Sequence, residues 1–174
     1  MVATFSWVEY NTQATDTGVP TNLNLGSTNA RNLAPSTYPI TAATYSYSKW
    51  VRGMWTGSFT RIDNLQFWMS ASGTGYVTGE KLNYSGTTGT YDGTSTYKTP
   101  TSSLETKGGT LKPIIVADPA AANIGVGGSL TGSITTSAAG FNMSDFIIVQ
   151  ASIANTASAG AVQQKTFTLQ YDEV

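Results

Sequence analysis

The 174-residue sequence contains no histidine and no cysteine, while glycine, serine and threonine recur along its whole length. Without imidazole or thiol groups, the chain has no Ser-His or Cys-His nucleophile pair and no Cys/His zinc site. It also has no side chain whose ordinary pKa lies near neutrality. A chain free of cysteine suits both a reducing cytosol and a particle that persists outside cells. We therefore expect a protein that is not an enzyme and that works through its surface.

Charge is also scarce. Charged residues make up 11% of the chain, and nine Lys and Arg against ten Asp and Glu give a formal net charge of -1. The cations are scattered singly from Arg31 to Lys165, which argues against DNA or RNA as a partner. No apolar run approaches the ~20 residues of a membrane-spanning helix, so no membrane association is expected. The start, Met1 to Phe5, lacks a basic-then-apolar leader, which predicts synthesis in the cytoplasm without a signal peptide.

Alternation of apolar and polar residues predicts β-strands at both ends and in the middle of the chain. The inward-facing sets are Ala3, Phe5 and Trp7; Leu65, Phe67 and Met69, within about 58–70; Ile147, Val149, Ala151 and Ile153, within about 145–154; and Phe167, Leu169 and Tyr171. A short, fully apolar strand is predicted at 114–116, and weaker strands are predicted over 22–27, 45–51, 76–84 and 129–135. No window has sustained helical periodicity, and the best helical stretch, 119–122, predicts a turn or two at most.

Seven to nine short strands separated by Gly, Ser, Thr, Asn and Pro predict an all-β fold. The favoured architecture is a two-sheet antiparallel sandwich, jelly-roll-like with long irregular loops, and the alternative is a small β-barrel. The length suits a single β domain over 1–174, in which 11–44 is a possible extended arm or loop segment. Residues 85–112 form a second irregular segment, and 155–161 is predicted to be a hairpin loop between the last two strands.

Three groups of residues invite a chemical interpretation. Gly125 to Gly128 resembles a phosphate-binding loop only in glycine content, because no helix pattern and no Gly-Lys-Ser/Thr follow, so a turn between strands is predicted. Asp63-Asn64, Asp118 and Asp172-Glu173 carry oxygen donors, but no spaced calcium-binding array joins them, and we expect no metal site. The ten acids single out no pair with the 5 to 10 Å spacing of a glycosidase.

The aromatic residues permit two interpretations. Trp50, Trp55 and Trp68, with tyrosines 45, 47, 76 and 84, would suit either a sugar-stacking platform or the packing of the sandwich. Packing is favoured because aromatic residues are common in sheets. In addition, Trp50 and Trp55 cannot share one face of a strand without a bulge.

Several blocks of the sequence are distinctive as a set. They are Trp7-Val8-Glu9-Tyr10, Asn24-Leu25-Gly26-Ser27, Asn32-Leu33-Ala34-Pro35, Tyr38-Pro39-Ile40, the stretch FTRIDNLQFW over 59–68, and the ending FTLQYD over 167–172. Together they resemble small virion structural proteins of tailed bacteriophages, most of all capsid decoration (cement) proteins. The resemblance implies a β-sandwich or β-tulip, often a trimer at local three-fold positions of the shell, with a mechanical role and no cofactor.

We therefore expect a virion structural protein that stabilises a phage shell by surface adhesion. Its expected partner is the major capsid protein lattice or another virion protein, and it is expected to form a homotrimer. The alternatives are a tail or head-fibre component, or a carbohydrate-binding β-sandwich module. Candidate partner contacts lie in the irregular segments, at Pro20, Asn32, Pro35, Tyr38, Pro39, Tyr91 and Tyr97.

Overall fold

The computed structural model describes residues 2–11, 18–70, 78–85, 93–106, 111–135, 142–157 and 164–174, and the structural statements below concern those residues. They contain eight strands and no helix: β1 (Ala3–Tyr10), β2 (Lys49–Gly57), β3 (Arg61–Ser70), β4 (Glu80–Ser85), β5 (Leu111–Pro113), β6 (Ile134–Thr135), β7 (Ile147–Ile153) and β8 (Thr166–Glu173). They form two antiparallel sheets, in the orders β1-β2-β7-β4-β5 and β6-β3-β8. The predicted two-sheet sandwich is confirmed, and the sheets do not close into a barrel.

The main core lies between the inner faces of the two sheets. Leu65, Phe67 and Met69 of β3 are buried there, and Phe5, Trp7, Phe167, Leu169 and Tyr171 pack against the core from the two end strands, which confirms the predicted alternation. Gly53 of β2 leaves room for larger neighbours, because a Cβ at this position would lie 2.6 Å from the Trp55 ring and 2.8 Å from the Leu169 side chain. The glycine is therefore required for close packing of the two sheets.

A second apolar cluster covers the outer face of the five-stranded sheet. Trp50 is fully buried there against Phe146 and Ile148, whereas Trp55 is fully buried in the main core. The two tryptophans thus lie on opposite faces of β2, and the prediction that they pack the sandwich is confirmed. The loop 93–106 lies over this cluster and contributes Tyr97 to it.

Buried hydrogen bonds fasten that loop to the sheet. Glu105 is fully buried, and its carboxylate accepts a hydrogen bond from the Ser48 hydroxyl (2.8 Å) and one from the Trp50 indole (3.4 Å). The Glu105 N–H donates to the side-chain oxygen of Gln150 (3.0 Å). Because buried polar groups are costly without partners, these bonds fix the loop on the outer face.

Some predicted strands were wrong in position or extent. The strand predicted at 114–116 lies at 111–113, because the chain crosses to the other sheet after Ile114, where the Ile115 carbonyl accepts the N–H of Met69 (3.0 Å). Residues 22–27 form no strand. There the side-chain oxygen of Asn22 accepts the N–H of Asn24 (3.1 Å), in place of a partner strand.

Other strands are also shorter than predicted. The strand predicted over 129–135 is confined to β6, the one over 45–51 begins at Lys49, and of 76–84 the described part is strand from Glu80. Residues 119–122 make no helical turn. The residue that follows them, Asn123, is buried in the core, where its side chain accepts the N–H of Phe67 (2.7 Å) and donates to the carbonyl of Phe67 (2.8 Å).

The connection predicted as a hairpin at 155–161 is not a hairpin. It joins β7 of the five-stranded sheet to β8 of the three-stranded sheet, so it crosses between sheets. Alternation within each strand cannot distinguish the two cases, because both give the same sequence pattern.

Candidate partner-binding surface

Residues 18–48, which we call the 18–48 segment, fold back on the sandwich. Leu33 is buried, and Leu23, Leu25 and Ile40 pack against the main core. Within the segment, the Tyr47 N–H donates to the Gly26 carbonyl (2.9 Å). The described part of the predicted arm is therefore tied to its own chain on its inner side. Contact of its outer side with a neighbouring molecule stays a prediction.

A buried ion pair lies at the base of the 18–48 segment. The Lys49 ammonium donates to the Glu9 carboxylate (2.7 Å) and to the Ala30 carbonyl (2.6 Å), and the Arg31 guanidinium donates to the Glu9 carbonyl (2.8 Å). Glu9 and Lys49 are almost completely buried. Burial lowers the pKa of Lys49 from its ordinary value of 10.5, although the hydrogen bond and the charge of Glu9 oppose that change. These contacts anchor the segment to β1 and β2 together.

Asparagine side chains hold the rest of the segment. Asn29 donates to the Asn11 carbonyl (2.7 Å), and Asn24 donates to the Leu33 carbonyl (2.9 Å). Asn32 has a φ of 57°, a left-handed conformation that asparagine tolerates better than most residues, and its side-chain oxygen accepts the Thr21 N–H (2.7 Å). The loop is thus held in one conformation by amide hydrogen bonds.

The outward side of the segment centres on an exposed turn at residues 34–39, which we call the 34–39 turn. The N–H groups of Thr37 and Tyr38 both donate to the Ala34 carbonyl (3.0 and 3.2 Å). Tyr38 is 41% exposed, and Val19 elsewhere on the segment is 62% exposed. No charged residue occurs between Arg31 and Lys49. An exposed aromatic ring without neighbouring charge in the sequence is typical of the centre of a protein interface.

The structure places most of the predicted contact residues in this one segment. Pro35, Tyr38 and Pro39 lie in the 34–39 turn and are exposed. Asn32 is exposed two residues before the turn, and Pro20 is half-buried in the stretch that Asn32 bonds. These five residues therefore belong to one folded loop.

The two remaining predicted contacts are not part of that loop. Tyr97 lies in the outer cluster, where its ring contacts those of Tyr10, Trp50 and Phe146, and its hydroxyl donates to the Asn11 carbonyl (2.8 Å). Both ends of this side chain therefore have contacts within the chain. Tyr91 lies outside the described residues.

Sequence reasoning missed two features of this region, one exposed and one buried. Val19 is a single exposed apolar residue, and no periodic pattern marks it. Glu9 and Lys49 lie 40 residues apart on strands whose pairing is not encoded locally. A charged residue on the inward face of an otherwise apolar strand, as Glu9 is after Phe5 and Trp7, was the one available indication of a buried pair.

The glycine-rich stretch Gly125 to Gly128 is a tight turn, as predicted. Val126 and Ser129 exchange backbone hydrogen bonds (2.9 and 3.3 Å), and Gly127 and Gly128 both have positive φ, as a two-residue hairpin turn of the primed type requires. The Gly128 N–H donates to the Asp145 carboxylate (2.7 Å), so this amide already has an anionic partner.

Two acidic residues face each other near the start of β3 and the end of β8. Asp63 lies opposite Asp172 in the β3–β8 ladder, beside an open groove of about 360 Å³. Arg61 pairs with Asp63 (2.6 Å), and the Asn64 amide donates to Asp172 (3.0 Å). Across the described residues, no group of three or more acidic side chains is placed to hold a metal ion.

No protein-family model, curated protein or solved structure matches this chain. In the described ranges, no helix combines the length and the apolar character needed to cross a bilayer. The 18–48 segment, with its buried base and its uncharged, exposed turn, is the candidate surface for binding a partner.

Proposed function

We propose that this protein is a virion structural protein of the decoration type, which binds the surface of a shell of major capsid protein and stabilises it mechanically. The supporting observation is the exposed, uncharged 34–39 turn on a segment anchored by the Glu9–Lys49 pair. A loop that is already ordered loses little conformational entropy on binding. Binding through the turn therefore needs only a modest contact area to be stable.

The contact we propose centres on Tyr38. Its ring offers a broad apolar face with a hydroxyl at the tip, and Pro35 and Pro39 present backbone with restricted freedom on either side. Ser36 and Thr37 are exposed and supply hydroxyl groups for hydrogen bonds. Since the turn carries no charge, adhesion depends on buried apolar area and on hydrogen bonds.

The contacts of three buried glutamates also support a mechanical role. Glu9 bonds Lys49, Glu80 bonds Lys165 at 2.8 and 2.9 Å, and Glu105 bonds Ser48. Each of these carboxylates bridges two distant parts of the chain. Such links between distant parts of the chain suit a rigid building block.

The experiment measures binding to empty shells assembled from the major capsid protein of the phage to which the proposal assigns this chain. We expect the wild type to sediment with the shells and Tyr38→Ala to bind at least tenfold more weakly. Val116→Ala is the matched control, because Val116 is a similarly exposed apolar residue (52%) outside the 18–48 segment. Failure of the wild type to bind would overturn the function, whereas equal binding by Tyr38→Ala would overturn only the assignment of the surface.

The carbohydrate-binding alternative depends on a different residue. Trp68 is half-buried, and it alternates with the inward-facing Phe67 and Met69, so it lies on the outer face of the three-stranded sheet. A glycan array compares the wild type with Trp68→Ala. Sugar binding that is lost in this variant, together with no binding to shells, would favour the alternative.

A further inference from the structure

Strand β8 has an unpaired edge. It pairs with β3 and with no other described strand. On the far side of β3, the backbone groups of Phe67 bond the Asn123 side chain (2.7 and 2.8 Å). The Met69 N–H donates to the Ile115 carbonyl on that same side (3.0 Å). These odd-numbered residues of β3 therefore point away from β8. The even-numbered residues from Gln66 onward point toward it, and their ladder partners are the even-numbered residues of β8.

Three residues of β8 consequently direct their backbone groups away from β3. They are Phe167, Leu169 and Tyr171, which alternate with the residues that face β3. Val174 fits this alternation, because it exchanges backbone hydrogen bonds with Arg61 of β3 (2.9 and 3.0 Å). Within the described ranges, no donor or acceptor bonds the outward N–H and C=O groups of the three residues. Backbone groups without partners are rarely buried away from water, so this edge, which we call the β8 edge, faces solvent.

The β8 edge lacks the features that keep sheet edges apart. Residues 166–171 include no charged residue, no proline and no glycine. The irregularity in the β3–β8 register adds a residue to β3, between Asp63 and Gln66, and leaves β8 itself regular. Edges of this kind are templates for an added strand.

The β8 edge points toward the β1 side of the sandwich. Ile115, which bonds the far side of β3, closely follows β5, and β5 and β1 are the opposite edges of the five-stranded sheet. Leu169 lies over Gly53 of β2, since a Cβ at Gly53 would lie 2.8 Å from the Leu169 side chain. Gly53 pairs with Trp7 of β1. Trp7 therefore lies about 4.8 Å, one strand spacing, from the point where β8 crosses β2.

Exposed apolar surface accompanies this edge. Phe5 and Trp7 of β1 are half-buried, and their rings meet edge to face, with centroids 5.3 Å apart. Phe5 also stacks on Tyr171, with centroids 6.1 Å apart. A strand placed beside β8 would lie next to these rings and could cover the parts of them that are exposed.

A second copy of the chain does not fit the β8 edge. β8 runs obliquely over the five-stranded sheet, because Lys165 at its start bonds Glu80 of β4 (2.8 and 2.9 Å), and Glu173 at its end accepts the Ala3 N–H of β1 (2.9 Å). The five-stranded sheet therefore extends beneath β8 on both sides. A two-fold axis along the edge would bring the five-stranded sheets of both copies into the same space, whereas a single added strand needs only the layer beside β8.

We propose that the β8 edge receives an extended segment of the shell protein as an added strand. The assignment rests on the proposed function and gives it a second contact besides the 34–39 turn. The outward groups of Phe167, Leu169 and Tyr171 bond the backbone of the segment, and every second side chain of the segment points toward Phe5 and Trp7. A charge at those inward positions would lie unpaired against aromatic rings. The matching segment is therefore uncharged, with apolar residues at alternate positions.

Hydrogen exchange of backbone amides tests the pairing residue by residue. In the free protein, the Leu169 and Tyr171 amides should exchange about a hundredfold faster than the Thr168 and Gln170 amides, which face β3. On saturating empty shells, the Leu169 and Tyr171 amides should slow by about a hundredfold. The Thr168 and Gln170 amides are the matched control on the same strand, and they should stay slow in both states.

The possible results distinguish the added strand from the proposed function. Shells that bind the protein while the Leu169 and Tyr171 amides still exchange fast would overturn the added strand and leave the function standing. Failure of the protein to sediment with shells would overturn both. Slow exchange of these amides in the free protein would show that the edge is already occupied. Slowing that increases with protein concentration would show a second copy there, and either result would overturn the proposal.

A pair of substitutions provides a second readout. Leu169→Pro removes one outward N–H and leaves the ladder with β3 intact, because proline is tolerated on an edge strand where its missing donor faces solvent. Leu169→Ala loses the same core side chain but keeps the N–H. We expect Leu169→Ala to bind shells at least tenfold more tightly than Leu169→Pro. Equal binding by the two folded variants would overturn the proposal, and hydrogen exchange of the wild type decides the question if Leu169→Pro does not fold.

Discussion

The ammonium of Lys49 lies 2.7 Å from the carboxylate of Glu9, and both side chains are buried beneath the carbonyl of Ala30. This contact joins β1, β2 and the 18–48 segment at one point. The position of the proposed partner-binding surface therefore depends on a salt bridge that is itself inaccessible to a partner.

Removal of one member of this pair should destabilise the protein strongly. Lys49→Met removes the nitrogen that donates to the buried Glu9 carboxylate and to the Ala30 carbonyl, hydrogen bonds that a neutral lysine amine would keep, and we expect a loss of about 3 to 5 kcal/mol in the free energy of unfolding. Adding Glu9→Gln removes the stranded charge and keeps an acceptor for the Asn11 amide, which donates to Glu9 at 2.9 Å. The double variant should recover more than half of the loss in urea unfolding. If the double variant instead lost the sum of what the two single variants lose, the result would contradict an interaction between Glu9 and Lys49.

The lowered pKa of Lys49 predicts a gain of stability at alkaline pH. The folded chain releases this proton at a lower pH than the unfolded chain, so between the lowered pKa and 10.5 the unfolded state binds more protons and stability rises with pH. Urea unfolding of the wild type and of Lys49→Arg, whose guanidinium stays charged, isolates this contribution. The wild type should gain stability relative to Lys49→Arg as the pH approaches 10.5. A difference in unfolding free energy that stays constant or falls would argue against a lowered pKa of Lys49.

Two glycines should differ in how much their substitution destabilises the protein. At Gly53, an added Cβ meets Trp55 and Leu169 side chains within 3 Å, so Gly53→Ala should cost about 1 to 3 kcal/mol through overpacking. At Gly127 nothing lies within 4 Å and φ is +62°, which asparagine tolerates, so Gly127→Asn should change stability by about 0.5 kcal/mol or less. Thermal unfolding of both variants checks the contrast. A tolerated Gly53→Ala would mean that the sheets pack less closely there.

Asn32 should contribute through its backbone and through its side chain. Asn32→Gly keeps the left-handed conformation and loses the acceptor of the Thr21 N–H, at a cost of about 0.5 to 1 kcal/mol. Asn32→Ala loses the acceptor and adds backbone strain, so its cost should be about twice as large. Denaturant unfolding distinguishes the two, and equal costs would show that the left-handed conformation is relaxed in the alanine variant.

Shell binding through the 34–39 turn should be insensitive to salt. Charged contacts weaken as the Debye length shortens, but the turn carries no charge to be screened. Raising sodium chloride from about 0.1 M to about 1 M, which shortens the Debye length from about 10 to about 3 Å, should change the dissociation constant by less than about threefold. A tenfold or larger weakening would place the contact on a charged part of the surface instead.

Periodicity predicted the elements whose two faces differ. Leu65, Phe67 and Met69 face the core as expected, because alternation is visible wherever one side of a strand is buried and the other is polar. Periodicity predicted strands wrongly at two places. At 22–27 an asparagine side chain bonds the backbone in place of a partner strand, and at 114–116 the chain crosses between the two sheets.

The candidate surface was predicted in part. Proline and tyrosine in a segment without periodicity marked the 34–39 turn, whereas Tyr97 belongs to an aromatic cluster that depends on Trp50 and Phe146, far away in sequence. The Glu9–Lys49 pair and the crossing from β7 to β8 both depend on which strands pair. Long-range pairing is set by the whole core, and no local pattern contains it.

The most direct measurement is the number of copies of this chain per copy of the major capsid protein in purified particles from cultures that produce both. Quantitative mass spectrometry of particles purified on density gradients gives that ratio. A decoration protein should be present at one fixed ratio in every preparation and should be absent from the soluble fraction once the shell sites are in excess. Particles that contain no copies of the chain, while the soluble protein is abundant, would contradict the proposed function.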